Sequence, residues 1–246
     1  MIDIKSKTHT VRYLATRVIP SDFFKIVRYV GYRGDIKSVP WWIKSNIAHS
    51  CCTDLTQEPG RWLSLMKSNT RNEIRRAERD GCITEVSRDI EKFIELYNSF
   101  AREKGLNDIV TRERLSTYKE LLITKVSFLG KVLAMHANVI NRHDGDAFLL
   151  FSCSVRLDGG IDKQLIGRAN RFLHFKDLEY IKSYGCSYYD WSGVCLDPND
   201  PRYPIGKFKL SMGGKVIESP TLKTPLFRLC EVMRNGVVHV KRLITG

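Results

Sequence analysis

Residues 164 to 169 read Gln-Leu-Ile-Gly-Arg-Ala, a spacing suited to gripping an anion. Small residues at Gly167 and Ala169 let the backbone turn tightly, and a helix starting there aims its first unpaired N–H groups at a phosphate. Gln164, Gly167, Arg168, Ala169 and Asn170 are therefore the candidate donor-binding residues, with Arg171 adding charge beside them. A second group of cations, Arg71, Arg75, Arg76 and Arg79, lies just after Thr70 and gives a helix one very basic face for phosphates. Glu73, Glu78 and Asp80 offset part of that charge. The seven cysteines form no C-x-x-C pair and the six histidines no H-x-x-x-H spacing, so neither a disulfide framework nor a metal site is expected.

Periodicity supplies the elements that must hold these residues. Thr70 is read as the cap of the basic helix, with Ile74 and Ala77 facing inward as far as Gly81. Behind Asp89, the residues Ile90, Phe93, Ile94, Tyr97, Phe100 and Ala101 recur at helical spacing, with Gly105 beyond the end. A third helix is expected from Thr111, burying Leu115, Tyr118, Leu121 and Leu122. The period then switches to strands over 126–129, 132–140 and 148–155, bounded by turn signals at Gly130 and Asp144-Gly145. A loop containing Gly159-Gly160 leads to a helix from about Ala169 to Tyr184 and then to a strand over 187–191. Residues 1–64, with Trp41-Trp42 after Pro40 and a break at Glu58-Pro59-Gly60, read as an N-terminal annex, and 65–246 as the main domain. The tail over 222–240 reads as a short amphipathic helix and a strand.

The Gln164 to Ala169 segment fits the Q/R-x-x-G-x-G/A pattern of the GNAT acetyltransferases, in the order helix, meander, motif, helix, strand that their core has. A longer resemblance is to the FemABX-type acyltransferases. The stretch 65–81, with Ile74-Arg75-Arg76-Ala77 and Gly81, is similar to their core opening, and 93–101 to the helix that follows. Residues 169–175 followed by 185–193, with Tyr188-Tyr189-Asp190-Trp191-Ser192-Gly193, resemble their helix and Y-D-x-G-G strand. Ile205-Gly206-Lys207-Phe208-Lys209 with Met212-Gly213-Gly214 resembles their closing segment. Ser192 stands where a glycine is common, and Met212 where a phenylalanine is. The resemblance covers about residues 65 to 218 and implies an α+β fold of the GNAT type, a mixed and mostly antiparallel sheet with splayed strands flanked by helices. It implies that the acyl group enters between the strands over 148–155 and 187–191, so that Asp190, Tyr189 and Tyr188 lie where a proton moves. It also places Lys209 near transferred or phosphate oxygens; Lys207 joins Arg71 and Arg75 as candidate phosphate ligands.

On this reading the chain is an N-acyltransferase moving an acyl group from an acyl-CoA, its co-substrate, to an amine. The acceptor class is suggested by resemblance alone: a nucleotide- or lipid-linked amino sugar, or a related cell-surface glycan precursor. Aminoacyl-tRNA is the alternative donor, and a non-enzymatic nucleic-acid-binding protein is the reading from a different class. Forty Lys and Arg against 27 Asp and Glu, a formal +13, suit any of these phosphate-bearing partners. The absence of an apolar signal core in the first twenty residues leads to a cytoplasmic expectation, with peripheral contact at the inner face of the membrane as a further one.

Overall fold

The computed structural model describes residues 1–6, 8–155 and 162–234. First along the chain come β1 (Ile2–Lys5), β2 (Thr10–Tyr13), β3 (Val27–Val30), β4 (Lys44–Asn46) and β5 (His49–Asp54). They are followed by α1 (Pro59–Leu65), α2 (Ser68–Arg79), β6 (Ile83–Ser87), α3 (Ile90–Glu103) and α4 (Arg112–Ser116). A meander of β7 (Leu121–Phe128), β8 (Lys131–Asn141) and β9 (Asp146–Ser154) leads to α5 (Lys163–Ser183) and β10 (Tyr188–Val194). The last are α6 (Tyr203–Ser211), β11 (Lys215–Glu218) and β12 (Thr221–Lys223). Two compact units result: Met1–His49 with Glu218–Gly246, and Ser50–Ile217. Among the described residues, 50–64 thus group with the second unit and 218–234 with the first, bounds that differ from 1–64 and 65–246.

In the first unit the strand order is β1-β2-β3-β12-β4. The C-terminal segment enters this sheet because Thr224 is tied to β3: its Oγ1 accepts from Val27 N at 3.1 Å, and its N–H donates to Val27 O at 3.1 Å. Ala15, Val27, Tyr29, Tyr32, Ile43 and Leu222 form the core. Beside it Arg12 grips buried Asp22 with two bonds of 2.8 and 3.0 Å, while Tyr29 donates its hydroxyl to Asp22 at 2.6 Å.

The second unit carries the mixed, mostly antiparallel sheet with flanking helices that the sequence leads one to expect. Its order is β11-β5-β10-β9-β8-β7-β6. Strands β6 to β9 pair antiparallel, and β10 joins β9 in parallel. β8 is buried on both faces, so its alternate residues feed two cores: Ala134 and Ile140 pack with α5, and Met135 and Ala137 with α3. By the same period of two, the polar residues His136 and Asn138 point into the α5 core.

Several local expectations change. Thr70 is buried within α2 rather than capping it. The helix from Thr111 is one short turn, α4, and Leu121 and Leu122 belong to β7, where pairing with β6 and β8 claims them. The helix expected from Ala169 begins at Lys163. Gly159 and Gly160 lie outside the described residues, as does the tail beyond 234; residues 225–234 are helical.

Candidate functional site

The amide clamp expected at Gln164, Gly167 and Ala169 does not form. Asp162 caps α5, its Oδ1 accepting from Gln164 N at 2.9 Å and its Oδ2 from Leu165 N at 3.2 Å. Aspartate is among the strongest N-caps, so the helix starts before the glycine is reached. Gly167, Ala169 and Asn170 then lie inside the helix, where backbone N–H groups belong to its own ladder.

What the motif does instead is line a groove of about 750 Å³ between α2 and α5. From α2 come Asn69, Asn72, Glu73, Arg76 and Arg79, and from α5 Lys163, Gln164, Gly167, Arg168 and Arg171. Five of these side chains are cationic, against one carboxylate. Arg171 pairs with Glu73 at 2.8 Å, and Arg168 reaches Asp80 at 3.3 Å. Arg79 and Lys163 make no ion pair with any described residue. Arg168 is only 8% exposed, and its Nε has no hydrogen-bond partner among the described residues. A buried guanidinium N–H without a partner is costly, which makes it a ready donor to a ligand oxygen. Of the other expected phosphate ligands, Arg71 turns away to donate to the carbonyls of Met66 and Ser64 at the end of α1. Arg75 faces a smaller cleft with Asn72, Glu78 and Arg79, and Lys207 is exposed on α6.

Between the strands expected to part, the backbone ladder ends at Asp190. The β9–β10 ladder joins Tyr188 to Asp146, Tyr189 to Ala147 and Asp190 to Phe148. Beyond it Ser192 donates its hydroxyl to Leu149 O at 2.6 Å. Asp190 makes the bend: its Oδ1 accepts from Ser192 N at 2.7 Å and from the Ser50 hydroxyl. Ser192 there has φ of 65°, the left-handed region that explains a glycine at this place in similar strands. Asp190 is thus a buried positioning carboxylate.

Lys209 meets this bend from α6. That helix lies against the exit of β10 because Gly206 has no Cβ; one placed there would sit 2.5 Å from Cys195 O. Lys209 Nζ donates to Gly193 O at 2.9 Å. Burial lowers its pKa, and the charge of Asp190 only partly restores it. Tyr189 is fully buried, donates to Asn138 Oδ1 at 2.7 Å, and is pushed well above an ordinary phenol by burial and then by Asp177 and Asp190. It is a poor proton shuttle. Tyr188 is half-buried at the start of the strand.

A third group joins residues that the sequence does not bring together. His136 on β8 bonds Asp177 through Nδ1 at 2.6 Å and Asn170 Oδ1 through Nε2 at 3.1 Å. Thr124 donates to the other Asp177 oxygen at 2.6 Å. His174 stacks on His136 with ring centroids 3.9 Å apart and an interplanar angle of 27°. Burial, then the neighbouring His136, Lys209 and Arg171, lower the His174 pKa well below the usual histidine value. His136, His174 and Asp177 bring candidate ligand atoms within 4.8 Å of one another. Histidine lone pairs lie in the ring plane, however, and two rings stacked face to face direct theirs past any shared point. The group is better described as a buried hydrogen-bond centre under α5. It connects outward: the His174 ring lies 5.3 Å from Phe208, over which Arg171 of the groove sits at 5.2 Å.

No protein-family model matches the chain, and no curated protein matches it. Solved structures do. FemX is similar at 12% identity and a TM-score of 0.66, over 92% of this chain and 85% of that one. The C-terminal domain of a putative lysylphosphatidylglycerol synthetase from Agrobacterium fabrum is similar at 9% identity and a TM-score of 0.61, over 96% and 83%. L-PGS from Bacillus licheniformis follows at 12% and 0.57, over 90% and 79%. At these identities the likeness is one of fold, and that fold is of the FemX type.

Proposed function

We propose that this chain is an acyltransferase that takes an aminoacyl group from the 3′ end of a tRNA and joins it to an amine on a cell-envelope precursor. The observation that carries this reading is the cationic groove between α2 and α5. Its donors are side chains on two helices, while Asp162 occupies the first-turn amides that a coenzyme A pyrophosphate would need. A row of guanidinium groups suits successive phosphates of a nucleic-acid end. Arg171 of the groove sits over Phe208, Phe208 lies against His174, and His174 feels the charge of Lys209. The likeness to FemX and to two lysylphosphatidylglycerol synthetase structures, the latter aminoacylating by name, agrees with it.

In the step proposed, a neutral amine attacks the ester carbonyl, the C–N bond forms and the C–O bond to the ribose breaks. One amine proton leaves, and the departing 3′ oxygen gains one. Lys209 supplies positive charge to the oxyanion, and Asp190 holds the bend that presents Lys209 to it. Acyl-CoA remains the competing donor because Gln164 and Gly167 line the same groove. Incubating the purified protein with labelled aminoacyl-tRNA or labelled acyl-CoA and a set of amine acceptors decides between them. Transfer from tRNA alone is expected, and Arg79→Glu should raise the KM for tRNA about tenfold or more with kcat little changed. Consumption of acyl-CoA alone would overturn the donor assignment. Salt-sensitive tRNA binding without any transfer would make this a binding protein.

A further inference from the structure

The chain's positive charge is not spread evenly. The first unit holds fourteen Lys and Arg against five Asp and Glu, a formal +9 of the total +13. On this basic unit Trp41 is 92% exposed and Phe24 79% exposed. Phe24 belongs to an aromatic cluster, in which the Phe23 ring lies edge-on to Phe24 at 4.8 Å and to Trp42 at 5.3 Å, and Trp41 directly precedes Trp42 in the chain. Phe23 and Trp42 are half-buried and anchor the ridge, leaving Trp41 and Phe24 outermost. Lys25, Lys37 and Lys44, all exposed, are close to the ridge in sequence.

A second apolar surface begins beside the first. Thr224 Oγ1 donates to Lys25 O at 2.7 Å, and the helical segment starts at the next residue. Leu226, Leu229 and Met233 are all exposed, at the i, i+3, i+7 spacing of one helix face. Single exposed apolar residues are ordinary on a protein surface; a nearly bare tryptophan and phenylalanine joined to an apolar helix face in a strongly basic unit are not.

We propose that the first unit docks the protein on an anionic lipid surface. Trp41 and Phe24 enter the boundary between headgroups and acyl chains, the helix face lies along it, and the lysines meet the phosphates. Interfacial aromatics and a surrounding basic field are the two contributions that peripheral binding combines. Nucleic acid shares the attraction to cations and aromatic rings, but Ile47, Leu226 and Leu229 offer a base no face to stack on, whereas lipid accepts them. This docking is independent of the transfer reaction, so a binding measurement tests it even where the donor assignment fails.

The test uses the full chain with vesicles of phosphatidylcholine alone, or containing about a third phosphatidylglycerol, a level that gives a substantial negative surface. Co-sedimentation with the anionic vesicles only, loss at high salt, and a blue shift of tryptophan emission are expected, because Trp62 and Trp191 are already buried. Trp41→Ser with Phe24→Ser should weaken partitioning about tenfold or more. Both side chains are exposed, so the thermal midpoint should hold. Lys37→Glu with Lys44→Glu is a second variant expected to weaken binding to anionic vesicles. No binding to them, binding unchanged in both variants, or equal binding to neutral vesicles would overturn the proposal. Quenching of Trp41 by tRNA with no vesicle binding would overturn it too and assign the ridge to RNA.

Discussion

Burial and charge oppose one another most directly at Lys209. Burial favours the neutral amine, while the Asp190 carboxylate favours the ammonium, and the balance leaves the pKa below the ordinary 10.5. If the ammonium is what stabilises the oxyanion, its contribution is present at low pH and lost as pH rises through that lowered value. Lys209→Gln should reduce kcat by about 10²–10³ with a small change in KM, the pattern of a lost transition-state contact, and should remove this alkaline limb from the pH profile. A variant that keeps kcat within about twofold would take Lys209 out of the chemistry. Cys51, close by, is not a competing nucleophile: burial pushes its thiol up to about 12, so almost none is thiolate near neutrality.

Among the elements, α5 decides which phosphate chemistry is open to the protein. Its cap is worth about 1 kcal/mol, the usual cost of replacing a capping aspartate by alanine. Asp162→Ala should therefore lower the urea midpoint by that free energy divided by the m-value, with the m-value itself unchanged. It should also free two first-turn amides, so weak coenzyme A binding, read by calorimetry, should appear or strengthen; unchanged binding would mean these amides face no ligand. The start of this helix is hard to see in the sequence because two signals compete, a capping aspartate at 162 and a glycine at 167. By contrast α3 was legible from end to end. Asp89 accepts from Lys92 N, and Gly105 follows the last turn with φ of 64°. The boundary before β7 failed for another reason: Leu115, Tyr118, Leu121 and Leu122 continue a helical period across a turn, and pairing on both edges then overrides it. The His136 centre does leave a signal in the sequence. Asn170, His174 and Asp177 stand at i, i+4 and i+7 on one face of α5, opposite His136 and Asn138 on the most buried strand, and inward polar residues at matched periods foretell a hydrogen-bonded centre.

At the scale of the whole molecule, the formal +13 divides into +9 in the first unit and +4 in the second, where twenty-six cations meet twenty-two carboxylates. The groove between α2 and α5 is therefore basic by local placement, and the first unit by composition. Such a unit must hold its own charge together, and the buried Arg12–Asp22–Tyr29 network is where it does so. Burial alone would raise the Asp22 pKa, but the bonds from Arg12 and Tyr29 outweigh it and hold the carboxyl below its ordinary 3.8. A carboxyl lowered on folding contributes stability that is complete above the unfolded value and is lost as pH falls through the folded one. The acid limb of unfolding should therefore include Asp22. Asp22→Asn leaves Arg12 buried with a weaker partner, a change of the kind that costs about 3 kcal/mol, far more than an exposed pair such as Lys92–Glu95 at about 0–1 kcal/mol. Urea unfolding of the full chain should register that loss, with hydrogen exchange accelerating at β2, β3 and β12. The difference between parent and variant should shrink as pH falls below 3.8, because protonation removes from the parent the charge that the variant already lacks. A difference constant down to pH 2 would mean that packing around Asp22, and not its charge, is what the first unit depends on.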